Sequence, residues 1–152
     1  MGLLIKGGLR GYKISIIENL SATNDQFGSI DLSDNSISKV EELNSLNRLR
    51  SLLLINNRIT YIENDFAINC PKLENLILTN NKISDIEVID NISSCKTLLR
   101  LSLTSAFLLP PQANKLNAIR VANVITIIFL TNLKLIQTPH NLIIVMHLLP
   151  LY

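Results

Sequence analysis

The side chains in this chain that could move protons, hold a metal or exchange electrons are few and scattered. Cys70 and Cys95 stand 25 residues apart, His140 and His147 seven apart, and the only adjacent carboxylates are Glu41 and Glu42. Two isolated thiols at that distance match neither zinc-ligand nor dithiol redox spacing. General acid–base chemistry needs a carboxyl whose surroundings tune it, whereas Glu41 and Glu42 fall in a polar stretch between apolar rows and read as solvated charge. Asp25 reads as a turn residue. No glycine-rich phosphate loop, nucleophile elbow or metal-ligand cluster is written in the sequence. The expectation is a non-catalytic chain, without cofactor or metal, that works by binding.

The elements that would build a binding surface are explicit. Phe27-x-x-Ile30-x-Leu32-x-x-Asn35-x-Ile37 is followed by Leu49-x-x-Leu52-x-Leu54-x-x-Asn57-x-Ile59, and then by Leu73-x-x-Leu76-x-Leu78-x-x-Asn81-x-Ile83. A partial copy, Leu98-x-x-Leu101-x-Leu103, closes the series, with spacings of 22, 24 and 25 residues between equivalent positions. That core at that period is the signature of leucine-rich repeats. Alternate residues of a strand face opposite ways, so the apolar members point inward and one repeat hides its row only against the next. The fold class expected is α/β: a leucine-rich-repeat solenoid with a short parallel sheet on the concave face. Turns, 3₁₀ turns and short helices should line the convex face, where Val40, Leu43, Leu46, Ile62, Phe66, Ile86, Ile89 and Ile92 recur at three- to four-residue intervals. The Asn ending each strand is expected to satisfy backbone groups where the chain leaves the sheet.

The residues between the inward positions form the concave surface. They are Arg10 and Tyr12 in a degenerate first unit, then Ser29, Asp31 and Ser33, then Ser51, Leu53 and Ile55. Asn75, Ile77 and Thr79 follow, and Arg100, Ser102 and Thr104 come last. Leu53, Ile55 and Ile77 make an apolar centre with a small, polar or charged rim, which is how protein-binding patches are built. Clustered cations interleaved with aromatics, as a nucleic-acid groove requires, are not found on that face.

At 152 residues and net charge +2, one domain is expected. All acidic residues lie at or before Asp90. The reading is a repeat domain over 1–104 and an atypical apolar tail over 105–152. Isolated cysteines point to a reducing compartment; the start shows no secretory leader, and the sequons at Asn19 and Asn91 read as accidental. In the first unit Gly7 stands where an inward residue belongs, and Ile17, Leu20 and Phe27 are expected core contacts. The uncharged run from Val121 to Leu133 has 13 residues, against roughly 20 for a spanning helix. The tail reads as a membrane segment, as an apolar cap, or, in the favoured reading, as translation out of frame; His140 and His147 are then incidental.

Several runs outside the repeat core carry a more specific likeness. Arg10-Gly11-Tyr12-Lys13-Ile14, Ile17-Glu18-Asn19-Leu20, Ala22-Thr23, Asp25-Gln26-Phe27, Ile30-Asp31 and Ser33-Asp34-Asn35 resemble the A-prime family of U2 small nuclear ribonucleoprotein subunits, as does Leu76-Ile77-Leu78-Thr79-Asn80-Asn81. The likeness runs from Leu9 to Leu103. It implies a nuclear scaffold of pre-mRNA splicing whose concave face holds the RNA-recognition-motif domain of a B-double-prime-type protein. U2 RNA would be bound mainly through that partner, with no membrane and no small-molecule substrate. The family's capping helix at the start and its closing segment after Thr104 are not matched. The alternative is another leucine-rich-repeat adaptor, of the phosphatase-regulating, acidic nuclear or axonemal type, which would lack the Arg10–Ile14 and Asp25–Phe27 runs.

Overall fold

Parallel strands stack side by side, and the three central ones are each left through an asparagine, Asn35, Asn57 or Asn81. The structure is a computed structural model and describes residues 5–18, 25–43 and 45–103. Leu20, Thr104 and the tail 105–152 with its histidines lie outside the described residues. Strands β1 (Ile5–Gly8), β2 (Phe27–Asp31), β4 (Ser51–Leu53), β6 (Asn75–Ile77) and β7 (Arg100–Ser102) form one five-stranded sheet in that order. Every pairing is parallel, and Ile30, Leu52, Leu76 and Leu101 stand level with one another. Register follows from the pattern: a slip of one residue would turn each apolar row out to solvent.

The inward row is the core. Ile30, Leu32, Leu49, Leu52, Leu54, Leu73, Leu76 and Leu78 are all buried, as are the repeat-closing Ile37, Ile59 and Ile83. The degenerate first unit joins the sheet through β1, with Gly7 level with Ile30. No side chain can fill that inward position, and the ring of Phe27 occupies the space, 3.3 Å from where a Cβ on Gly7 would stand. Ile17 is buried and Phe27 half-buried against the same core.

Of the expected convex positions, Val40, Leu43, Leu46, Ile62, Phe66, Ile89 and Ile92 are buried, while the side chain of Ile86 lies outside those described. The elements that carry them differ from repeat to repeat. Val40 and Ile62 belong to a second, two-stranded parallel sheet, β3 (Lys39–Val40) with β5 (Tyr61–Ile62), where the sequence suggested only helical or 3₁₀ turns. Helix α1 (Phe66–Asn69) is a single turn anchored by Phe66. Helix α2 (Ile86–Ser93) is longer, and the Asp85 carboxylate accepts from the Glu87 N–H at its start, 2.9 Å, which satisfies one of the orphan donors of a helix N-terminus. Asn91 in α2 donates to the Ile62 carbonyl, tying helix to sheet. No helix among the described residues is long and apolar enough to cross a membrane.

A candidate protein-binding face

Three asparagines hold the coils together. The Asn57 amide donates to the carbonyls of Leu54 and Ile55 in its own coil and of Leu32 in the coil before, while its oxygen accepts from Ile37 N–H at 3.1 Å. Asn81 repeats the arrangement with Leu78, Thr79, Leu54 and Ile59. Asn35 does so with Leu32, Ser33, Leu9 and Ile14. All three are buried. A buried amide with every group paired fixes geometry, whereas an unpaired one is costly. Their role is structural, as the sequence suggested.

A second polar row runs beside the first. Gly11, Asp34, Asn56 and Asn80 occupy equivalent positions, and all have positive φ, between +55° and +76°. Asn and Asp tolerate this left-handed conformation better than other side-chain-bearing residues. The turn aims their side chains along the stack. Arg10 Nε donates to Asp34 Oδ2 at 2.6 Å, Asn56 to Asp34 Oδ1 at 2.5 Å, and Asn80 to Asn56 Oδ1 at 2.9 Å. The Asn56 bond, aided by the Arg10 guanidinium, holds the Asp34 carboxyl below the usual carboxylate range. Sequence reasoning missed this row. Its signal was present in Asp34-Asn35, Asn56-Asn57 and Asn80-Asn81, a turn-forming residue placed directly before each ladder asparagine.

The concave face lies between these rows and the strand entries. Leu53 and Ile77 stand level on neighbouring strands, as do Asp31 with Leu53, Ser51 with Asn75, and Asn75 with Arg100. Ile55 and Thr79 lie two residues past the strands, in a ladder continued by Asp34 N–H to Ile55 O and Asn56 N–H to Thr79 O. Leu53, Ile55 and Ile77 are half-buried, because strands about 4.8 Å apart shade one another's side chains. Thr79 and Ser102 share a hydroxyl–hydroxyl bond of 2.9 Å at the far edge. The centre is therefore apolar, and Ser51, Asn75, Asp31, Thr79 and the exposed Arg100 surround it.

Three expected members differ from the rest in placement or in what they touch. Ser33 is buried, with 1% of its surface exposed and a hydroxyl that has no partner among the described residues. It is a small side chain flanked in its row by the longer Arg10 and Ile55, so it offers no surface. Arg10 keeps the outward position level with Ser33, since Gly11 N–H bonds Ser33 O, but its guanidinium is engaged by Asp34. Tyr12 is level with Asn35 rather than with any outward position, because Gly11 N–H bonds Ser33 O and the chain turns there. Its ring is exposed at the open edge of the stack, away from the apolar centre.

Neither thiol among the described residues is set up to react. Burial pushes the Cys70 thiol up to about 12 and the Cys95 thiol up to about 11, so both stay protonated and inert near neutral pH. They are free and buried at equivalent turns. Among the described residues no group of His, Cys, Asp and Glu could hold a metal ion.

Comparison with known proteins agrees with the architecture. A family model described as leucine-rich repeat matches residues 6–141. Proteins named U2 small nuclear ribonucleoprotein A' are similar: that of Arabidopsis thaliana is 53% identical over 95 residues, which is 62% of this chain and 38% of the relative. The Homo sapiens protein is 48% identical over 62% of this chain and 37% of its own length. That of Schizosaccharomyces pombe is 40% identical over 62% and 39%. The chain thus matches less than two fifths of the length of each of these relatives. Among solved structures, a chain of the Drosophila melanogaster SNF/U2A' complex superposes with TM-score 0.66 at 38% identity, covering 77% of this chain and 68% of that one.

Proposed function

From the premise that the chain belongs to the leucine-rich-repeat family, we propose that it is a non-catalytic scaffold subunit of the U2 small nuclear ribonucleoprotein in the nucleus. On this reading its concave face holds a protein of the RNA-recognition-motif type, and through that protein it supports U2 RNA binding in splicing. The observation that carries the proposal is the level pair Leu53 and Ile77 at the centre of an open parallel sheet with a polar rim. The similarity to U2 small nuclear ribonucleoprotein A' of several organisms, and to a chain crystallised in a SNF/U2A' complex, supports the choice of partner. A dry apolar centre with hydrated edges is where association energy concentrates.

Calorimetry with a recombinant B-double-prime-type protein tests it. Ile77→Asp places a charge at the centre of the contact and is expected to weaken binding by about 30-fold or more, the loss of at least ~2 kcal/mol expected of a central anchor. Unchanged affinity in a folded Ile77→Asp variant would remove the concave face from the interaction. Capture of a phosphatase or tubulin instead of an RNA-recognition-motif protein would favour the adaptor reading.

A further inference from the structure

Cations gather where the strands are entered. Arg48 and Arg50 precede β4, Lys72 precedes β6, and Lys96 and Arg100 bracket the entry to β7. All five are exposed. Two acids lie among them: Glu74 is engaged by Arg50 in an ion pair, and the Asp25 carboxylate accepts from the Arg48 backbone N–H at 3.0 Å. Among the described residues the side chains of Arg48, Lys72, Lys96 and Arg100 make no ion pair. The acids of the neighbouring convex turns, Glu63, Asp65, Asp85 and Glu87, belong to other segments of each coil. A shallow cleft of about 290 Å³ opens in this edge, lined by Arg50, Lys72, Glu74, Lys96, Thr97 and Leu99. Thr97 in its lining donates its hydroxyl to the Leu73 carbonyl at 2.8 Å.

We propose that this strand-entry edge is a direct RNA-backbone site, separate from the concave face, in which Lys72 and Lys96 contact phosphates. The stacking that builds the sheet also sets successive coils about 4.8 Å apart, so the cations form a row rather than a point. Long exposed side chains around an open cleft with one apolar lining residue suit a repeating anion that needs charge but no side-chain pocket. A sequence-specific acidic peptide would need such a pocket. The inference rests on the reading above, that the chain works in a ribonucleoprotein, which is what selects a nucleic acid among polyanions. Phosphate contacts of this kind position a nucleic acid without reading its sequence.

Fluorescence anisotropy with the full chain alone tests it, using a labelled 20-nucleotide oligouridine and a labelled RNA hairpin across a salt series. The wild-type chain should bind at least one RNA, with affinity falling as salt rises. Lys72→Glu/Lys96→Glu should weaken binding at least 10-fold at low salt. Lys72→Ala/Lys96→Ala should lower the slope of log affinity against log salt by about 1.4 for the single strand, or about 1.8 for a duplex. Neither double variant should change affinity for the RNA-recognition-motif protein, and Ile77→Asp should leave the RNA salt slope unaltered, so failure of this site and failure of the concave face are told apart. The proposal is overturned if folded wild-type protein binds neither RNA, if the charge reversals leave binding unchanged, or if polyglutamate or phosphatidylserine vesicles bind as tightly as RNA.

Discussion

Asn57→Ala should cost more than its neighbour Asn56→Ala, although both remove one amide. The Asn57 side chain is 93% buried by its 7% exposure and is the partner of the Ile37 N–H. The carbonyls it serves keep second donors: Leu32 O retains the Asn35 amide, Leu54 O the Asn81 amide, and Ile55 O the Asp34 N–H. The substitution therefore orphans one buried N–H, at about 1–3 kcal/mol, and removes donated bonds with a net worth of about 1 kcal/mol. Together this is about 2–4 kcal/mol, a large share of the roughly 5–15 kcal/mol that holds a typical domain. Asn56 is exposed; losing its bonds to Asp34 and Asn80 should cost less than about 1 kcal/mol, since water replaces them, and an alanine at its φ of +55° adds about 1 kcal/mol of left-handed strain. Urea denaturation read by circular dichroism measures both: the midpoint should fall strongly for Asn57→Ala with the slope preserved. Equal losses for the two variants would refute the argument that the buried amides bind coil to coil.

Other consequences are as direct. Leu76→Ala, at a fully buried position in the middle strand, should lose about 2–5 kcal/mol, whereas Ile68→Ala, whose side chain is 75% exposed, should shift the same urea midpoint little. Cys70 and Cys95 should resist iodoacetamide at neutral pH in the folded protein and react on unfolding, as followed by mass spectrometry. Their folded values, about 12 and about 11, exceed the ordinary 9.0, so their contribution to stability is complete below pH 9.0 and is lost as pH rises towards those values. Asp34 has the opposite sign: its depressed folded value makes its contribution complete above the ordinary 3.8 and lost as pH falls below it. Asp34→Asn should remove that part of the acid dependence in thermal melts taken between pH 5 and 2 (about the span over which a carboxylate titrates).

What could be read from the sequence was set by repetition. The inward row from Ile30 to Leu101 and the amides of Asn35, Asn57 and Asn81 recur several times, so each copy confirms the others, and all stand as expected. Lys39–Val40 and Tyr61–Ile62 are two residues each. Two residues carry no periodicity, so Val40 and Ile62 were visible as buried positions but not as a sheet. In the first unit Arg10 keeps its outward position, but the chain turns at Gly11, so Tyr12 leaves the row that alternation gave it. Ser33 failed for another reason: alternation gives the face a residue points to but not the bulk of the side chains beside it. The left-handed turns at Asp34, Asn56 and Asn80 are a backbone property that residue type permits without requiring.

Hydrogen exchange of the full chain, with and without an RNA-recognition-motif protein of the B-double-prime type, tests the central claim most directly. The account predicts added protection over Ser51–Ile55 and Asn75–Thr79, with α1 and α2 unchanged. Protection confined to Phe66–Asn69 and Ile86–Ser93, with the concave strands exchanging as before, would contradict it.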